Sequence, residues 1–231
     1  MDPKLHAARR ALELNESGMA LGLGTGSTAN HFVRELGYQV RSGTFTDLRC
    51  VATSEATARL AAAEGLSLVS IEDQPVLDLT IDGADEVDPD WNLIKGGGGS
   101  LLREKIVAQA SRKLAIVADE SKRVTRLGER WALPVEVIPF GWKTHLAHFE
   151  DLGGHPALRL GAEGAPFVTD GGNLTVDIDF SEAGSGRGLA APETLHAELR
   201  RRAGVVETGL FLGMTSILIV GSASGATLER R

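Results

Sequence analysis

The chain carries one cysteine and one tyrosine in 231 residues, and its aromatic residues amount to 5%. A lone thiol, Cys50 in "LRCVA", excludes an intrachain disulfide and any zinc motif built on cysteines. Its strand-like surroundings read as those of a buried structural thiol. No apolar run approaches the ~18 residues of a membrane span. The N-terminal "MDPKLHAARRALELNESG" is charged throughout and lacks the apolar stretch of a signal peptide, so a cytoplasmic protein is expected. Positive charge is also short, with 24 Lys and Arg against 31 Asp and Glu for a formal charge of −7. Nonspecific nucleic-acid binding requires a basic face, so any anion bound here must meet local positive groups. What remains is an ordinary globular balance, 42% hydrophobic and 24% charged, in a length that suits one large domain or two small ones.

Apolar and amphipathic segments alternate over the first half. The pattern predicts helices over 4–16, 27–36, 55–65 and 100–111, and strands over 19–24, 49–54, 66–71, 76–82 and 113–119. Such alternation marks an α/β, Rossmann-like domain with a mostly parallel sheet, whose ligands bind beyond the carboxyl ends of the strands. After residue 130 the order becomes strand 133–140, helix 142–153, strands 157–160 and 174–180, helix 192–204 and strand 205–211. That β-α-β-β-α-β order is ferredoxin-like. The apolar segment 216–221 is assigned back to the first sheet. The expected division is therefore a Rossmann-like domain of 1–130 plus 213–231, and an inserted ferredoxin-like α+β domain of 131–212. The stretch 181–192 reads as a loop, and the tail after Gly221 as mobile.

The chemistry-bearing residues cluster after the predicted strands. "GTGSTA" (24–29) offers close backbone approach at a helix start, where N–H groups attract an anion, with hydroxyls from Thr25, Ser27 and Thr28. It also fits G-x-G-x-x-A, but the dinucleotide fingerprint wants an acid about 20 residues on, and the next strand ends in Thr53-Ser54 instead. A terminal monophosphate suits it better; a plain strand-to-helix turn capped by Ser27 or Thr28 is the competing reading. "DGAD" puts Asp82 and Asp85 at a strand end, where two neighbouring carboxylates resist ionising together. Glu86, Asp88 and Asp90 read as solvated members of a polar turn. "KGGGGS" (95–100) spends backbone entropy on four glycines, which suits a loop that wraps a ligand with its own backbone. It is not a phosphate loop of the G-x-x-x-x-G-K-[ST] type. Ser100 is expected to cap the following helix. Glu104 lies outside a capping box, since position 103 is Arg, which leaves a catalytic acid or a surface ion pair. Lys122, past another strand end, could meet a phosphate or an oxyanion. His145, His148 and Glu150 have metal-like spacing, but they sit on an amphipathic helix far along the chain from the glycines, and no metal is expected there.

Taken together, the chain resembles the ribose-5-phosphate isomerases of the A type. The resemblance is carried by "GLGTGSTA" (22–29), "TSEATARLA" (53–61), "IDGADEVD" (81–88), "IKGGGGSLLREKI" (94–106), "VADESK" (117–122), "LPVEVIPF" (133–140) and "VTDGGN" (168–173). It implies an aldose-ketose isomerase that interconverts D-ribose 5-phosphate and D-ribulose 5-phosphate through an enediolate, in the non-oxidative pentose phosphate pathway. It implies no cofactor and no metal, a small-molecule sugar phosphate as partner, and a homodimer or homotetramer. The family's general base is the Glu of R-E-K-I, here Glu104. Its substrate loops fall on Thr25, Gly26, Ser27 and Thr28, on Asp82, Gly83, Ala84 and Asp85, and on Lys95, Gly96, Gly97 and Gly98, with Lys122 beyond them. On that reading Lys95 and the glycine amides face the oxyanion, and Asp82 or Asp85 moves hydroxyl protons. The chain departs from the family at Gly99-Ser100, where Ala-Ala is usual and where a glycine could loosen the loop, at Leu102 and over 181–192. A sugar-phosphate-sensing regulator and a nicotinamide-dependent enzyme are the alternatives from other classes.

Overall fold

A computed structural model describes residues 2–180 and 188–231. The chain runs α1 (Pro3–Leu12), β1 (Ala20–Leu23), α2 (Ser27–Arg41), β2 (Arg49–Ala52), α3 (Glu55–Ala63), β3 (Leu79–Asp82), β4 (Glu86–Val87), β5 (Leu93–Ile94), α4 (Leu101–Gln109) and β6 (Leu114–Asp119). It continues through β7 (Leu133–Val137), α5 (Leu146–Asp151), β8 (His155–Leu158), β9 (Leu174–Asp179), α6 (Pro192–Arg200), β10 (Val205–Thr208), β11 (Leu210–Phe211), β12 (Ile217–Ser222) and β13 (Gly225–Arg230). Two compact units result. The first comprises Met1–Ala84, Arg103–Lys122 and Met214–Arg231; the second comprises Asp85–Leu102 and Arg123–Gly213. Residues 85–102 and 123–130, expected in the first domain, pack with the second unit.

The first unit holds a six-stranded sheet of order β13-β12-β6-β3-β1-β2, parallel except for the β12–β13 pair. This is an α/β fold with a mostly parallel central sheet. Strands β1 and β3 are buried along their whole length, as short apolar strands covered on both faces must be. Leu21, Leu23, Phe32, Leu36, Ile81, Val117 and Ile219 share one core, and each such buried side chain contributes roughly 1.5–3 kcal/mol. Cys50 lies in it, and burial pushes its thiol pKa up to about 12. From β1 the chain turns to β2 on one side, and β3 lies on the other. The loops after β1 and β3 thus emerge side by side where the winding reverses, the usual ligand position in such sheets.

Several expectations are corrected here. Helix α1 stops at Leu12 rather than 16, because Asn15 Nδ2 donates to the carbonyls of Ala11 (3.0 Å) and Leu12 (3.1 Å). Helix α2 runs on to Arg41, through Gly37, where a Cβ would come within 2.6 Å of Glu64 Cβ. That glycine admits a neighbour and does not end the helix. Segment 66–71 forms only a bridge, Leu68 to Cys50. The tail is not mobile: β13 pairs antiparallel with β12 over all six of its residues.

The second unit has a four-stranded antiparallel sheet of order β10-β7-β9-β8 and a three-stranded sheet of order β11-β5-β4. Its core gathers Leu133, Val135, Val137, Phe149, Val176, Ile178 and Leu199. The expected single strand 205–211 breaks at Gly209 into β10 and β11, which join different sheets. A Cβ at Gly209 would lie 2.3 Å from the Lys95 carbonyl oxygen, so only glycine permits this approach. The helix expected over 142–153 begins as a 3-10 turn, Trp142–His145. Within the expected loop 181–192, residues 181–187 lie outside the described residues, and Pro192 opens α6.

Candidate active site

In the first unit the site is organised by Asp82, 1% exposed at the end of β3. Its Oδ1 accepts the N–H of Thr25 (3.1 Å) and of Gly83 (2.7 Å), which ties the β1 loop to the β3 loop. A Cβ at Gly24 would fall 2.1 Å from that same oxygen, so glycine is required for the approach. Gly83 and Ala84 follow as half-buried backbone.

The Thr25 hydroxyl, expected to face a ligand, instead joins the hydroxyls of Thr53 (2.7 Å), Ser54 (2.8 Å) and Thr57 (3.1 Å). Thr57 Oγ1 in turn donates to the Gly24 carbonyl at 3.0 Å. These four hydroxyls brace the loop from behind, which gives "TSEAT" its role. Helix α2 is not capped by Ser27 or Thr28: Gly26, at φ +115°, is the N-cap, and both hydroxyl residues stand inside the first turn. Ser27 is exposed and Thr28 buried. Lys4 Nζ donates to Ser27 Oγ at 3.0 Å, bringing a cation to the start of α2. Sequence reasoning missed Lys4, because nothing in a lone lysine of the first helix says which loop it reaches.

Glu104 lies in the first turn of α4 and is 4% exposed, so it is not a surface ion-pair residue. Its neighbour Arg103 holds the exposed pair, with Glu55 at 2.9 Å. Ser100 stands immediately before the helix, at the N-cap position. Lys122, half-buried, closes the 3-10 turn Glu120–Lys122 after β6.

In the second unit, Asp85 and the glycine run come together. Asp85 Oδ2 accepts the Gly97 N–H at 2.7 Å, and the Asp85 N–H reaches the Ile94 carbonyl at 2.8 Å. Lys95 is 2% exposed, its N–H donates to the Gly209 carbonyl at 2.9 Å, and its Nζ sits 5.4 Å from the centre of the Phe211 ring. Gly96 (φ +108°) and Gly99 (φ +79°) take left-handed backbone, and the Gly99 N–H donates to the Gly96 carbonyl at 2.9 Å. Gly97 and Gly98 form the turn between them. Gly99 does not loosen the loop: the Phe167 ring occupies the place of its missing Cβ, at 2.2 Å from where that atom would be.

Two further expectations fail nearby. Glu86 is 1% exposed rather than solvated, and it accepts the N–H groups of Gly128 (2.6 Å), Arg130 (2.6 Å) and Trp131 (2.8 Å). Burial raises its pKa, and these backbone hydrogen bonds oppose the shift. Asp88 is half-buried, also raised by burial, and accepts the Asn92 N–H at 2.8 Å; Asp90 is exposed.

"VEVIP" and "VTDGGN" meet through Glu136, whose buried Oε1 accepts from Thr169 Oγ1 (3.0 Å) and Asn173 Nδ2 (2.8 Å). His145 packs on Phe149 with ring centres 5.7 Å apart, and its Nδ1 accepts from Arg202 Nε at 2.9 Å. Among the described residues, no group of three or more His, Cys, Asp or Glu is placed to hold a metal ion, and no helix is long and apolar enough to cross a membrane.

Comparison with known proteins bears on this arrangement. Residues 49–225 match the model of the family described as ribose 5-phosphate isomerase A (phosphoriboisomerase A). The chain belongs to the ribose 5-phosphate isomerase A family. It is 48% identical over 228 residues to the ribose-5-phosphate isomerase A of Roseiflexus castenholzii, covering 97% of this chain and 95% of that protein. It is 49% identical over 236 residues to that of Jannaschia sp., covering 99% of this chain and 86% of the relative. Among solved structures, the Methanocaldococcus jannaschii enzyme superposes with a TM-score of 0.91 at 36% identity, covering 100% of this chain and 99% of the other. A D-ribose-5-phosphate isomerase in complex with phospho-erythronic acid superposes with a TM-score of 0.94 at 35% identity, each chain covered in full. Membership makes this chain an aldose-ketose isomerase, and the sensor and nicotinamide readings fall away.

Proposed function

We propose that the chain interconverts D-ribose 5-phosphate and D-ribulose 5-phosphate through an enediolate, with Glu104 as general base, as a step of the non-oxidative pentose phosphate pathway. The observation that carries the base assignment is the burial of Glu104 in the first turn of α4, five residues beyond Gly99. A carboxylate withheld from bulk water can take the proton from one carbon and return it to the next, a role that supplies typically ~10²–10⁴-fold. The reaction moves protons only, so it calls on no redox cofactor. Its oxyanion needs fixed donors, each worth ~10²–10³-fold. Lys95 and the amides of Gly96 and Gly98 are the donors of this reading, with the Gly97 N–H held by Asp85, supported by the burial of Lys95 and the left-handed turns that set the glycine peptides.

Asp82 or Asp85 moves hydroxyl protons and helps open the furanose ring. The phosphate falls to Gly26, Ser27 and Thr28 at the start of α2, with Lys4 and Lys122, because a helix N-terminus and local cations favour an anion. Thr25 and Gly83 hold the two loops together through Asp82, since the Thr25 hydroxyl and both N–H groups are engaged, and Ala84 contributes backbone. The strand order of the second unit supports a ferredoxin-like βαββαβ domain. A homodimer or homotetramer in the cytoplasm is proposed with it, and light scattering tests the assembly.

The test is conversion of ribose 5-phosphate by the purified protein with chelator present and no nucleotide. Glu104→Gln should still bind the substrate but lose at least ~10²-fold in turnover. Near-normal turnover would remove Glu104 from the role.

A further inference from the structure

The glycine loop is gripped from outside. Arg159, just beyond β8, sends its Nη1 to the Gly96 carbonyl at 2.7 Å and to the Gly97 carbonyl at 3.2 Å. Its guanidinium is aimed by Asp177 on β9, through Nε to Oδ2 at 2.8 Å and Nη2 to Oδ1 at 2.5 Å. The Arg159 main chain is held as well. Its N–H donates to the Thr175 carbonyl (2.8 Å), and its carbonyl accepts the N–H of Phe167 (2.9 Å), whose ring fills the space at Gly99. One arginine and one ring thus hold a run of four glycines, the residue type with more backbone freedom to lose than any other.

The consequence follows from peptide geometry. In a trans peptide the C=O and the next N–H point in opposite directions. A cation on the Gly96 and Gly97 carbonyls therefore turns the Gly97 and Gly98 N–H groups away from itself. The Gly97 N–H goes to Asp85 Oδ2 at 2.7 Å, so that peptide is pinned at both ends. The next peptide is pinned at its carbonyl, and among the described residues nothing accepts the Gly98 N–H. A cation at the carbonyl end also polarises the amide and strengthens its N–H as a donor.

We infer that Arg159 is a positioning residue for the isomerisation, which aims and polarises the glycine-loop amides, the Gly98 N–H above all, for the developing oxyanion. This rests on the proposed reading of the glycine run as oxyanion donor. An arginine that merely tied β8 to β9 would act on stability. An arginine that orients amides acts on the transition state, and so on kcat rather than KM.

The experiment uses the full-length chain with Arg159→Met, Arg159→Lys and Asp177→Asn. Isomerase kinetics, inhibition by phospho-erythronic acid (whose planar carboxylate resembles the enediolate) and urea melts are measured on each. Arg159→Met should lower kcat by at least about tenfold, toward the loss of one oxyanion donor, with KM held within about twofold. Its inhibitor affinity should fall by a similar factor. Arg159→Lys, which keeps a cation without the fork, should recover part of kcat. Asp177→Asn, which leaves Arg159 in place and loosens its aim, should give a smaller loss in kcat at unchanged KM. It decides the matter if Arg159→Met does not fold. Unchanged kcat in a folded variant, or a rise in KM alone, overturns the inference. Glu104→Gln run alongside separates the failures. If it loses turnover while the Arg159 and Asp177 variants do not, only this inference falls; if it keeps turnover, the underlying reading falls first.

Discussion

Glu86 lends itself to a quantitative test because its three partners are all backbone N–H groups. In Glu86→Gln, Oε1 can still accept from Arg130 and Trp131, but an NH₂ replaces the oxygen that accepts from Gly128. One buried N–H is left unsatisfied, at a cost of ~1–3 kcal/mol, and two hydrogen bonds lose their charge assistance. Against this, the variant no longer carries a charge in a site that is 1% exposed. The balance is a net loss of about 2 kcal/mol, or a fall of about 1 M in urea midpoint at the usual slope for a unit of this size.

The pH dependence has a definite sign. The folded pKa of Glu86 is raised above 4.5, so the folded state binds more protons and this residue's contribution to stability falls as pH rises. The glutamine variant lacks that dependence, and the gap between the two proteins should narrow from pH 5 to pH 7.5. All three tryptophans, Trp91, Trp131 and Trp142, belong to the second unit, so their fluorescence follows its unfolding. A gap that is absent, or that widens with pH, would refute the burial argument.

Gly99→Ala should destabilise the second unit by about 1–3 kcal/mol, from left-handed backbone and overlap with Phe167, and should lower turnover. Combining it with Phe167→Ala should recover the overlap part, and a double-mutant cycle that is additive would show that the ring is not the obstacle. Burial, then Arg202 and His148, hold the His145 pKa below 6.5, so stability from this residue is present above that value and is lost as pH falls. Urea melts at pH 7.5 and 5.5 should therefore show a larger acid loss for the native chain than for His145→Gln, the opposite trend to Glu86.

The fate of individual residues divides what was legible in the sequence from what was not. Apolar spacing marked β1, β3, β6 and β12 as buried strands, because a strand covered on both faces must be continuously apolar. The glycines at 24 and 96–99 were visible as places of close approach, because no other residue combines that freedom with so little bulk. Motifs in order along the chain carried the family, with Glu104, Lys95 and the strand-end carboxylates as candidates. Partnership was not legible. Glu86 and Glu104 are both glutamates in charged stretches; one turns into a backbone cradle and the other is buried at a helix start, which only the packed chain decides. Thr25 was read as a ligand donor and proves to be one of four bonded hydroxyls, since Thr53 and Ser54 lie between β2 and α3 and Thr57 in the first turn of α3, all distant in sequence. Lys4 and Arg159 reach their loops across 23 and more than 60 residues of chain. Local pattern records what a residue can offer, and long-range packing sets what it meets. The tertiary structure alone thus assigns the cations to the loops, because those contacts depend on how distant strands lie in the sheet and not on neighbours in sequence.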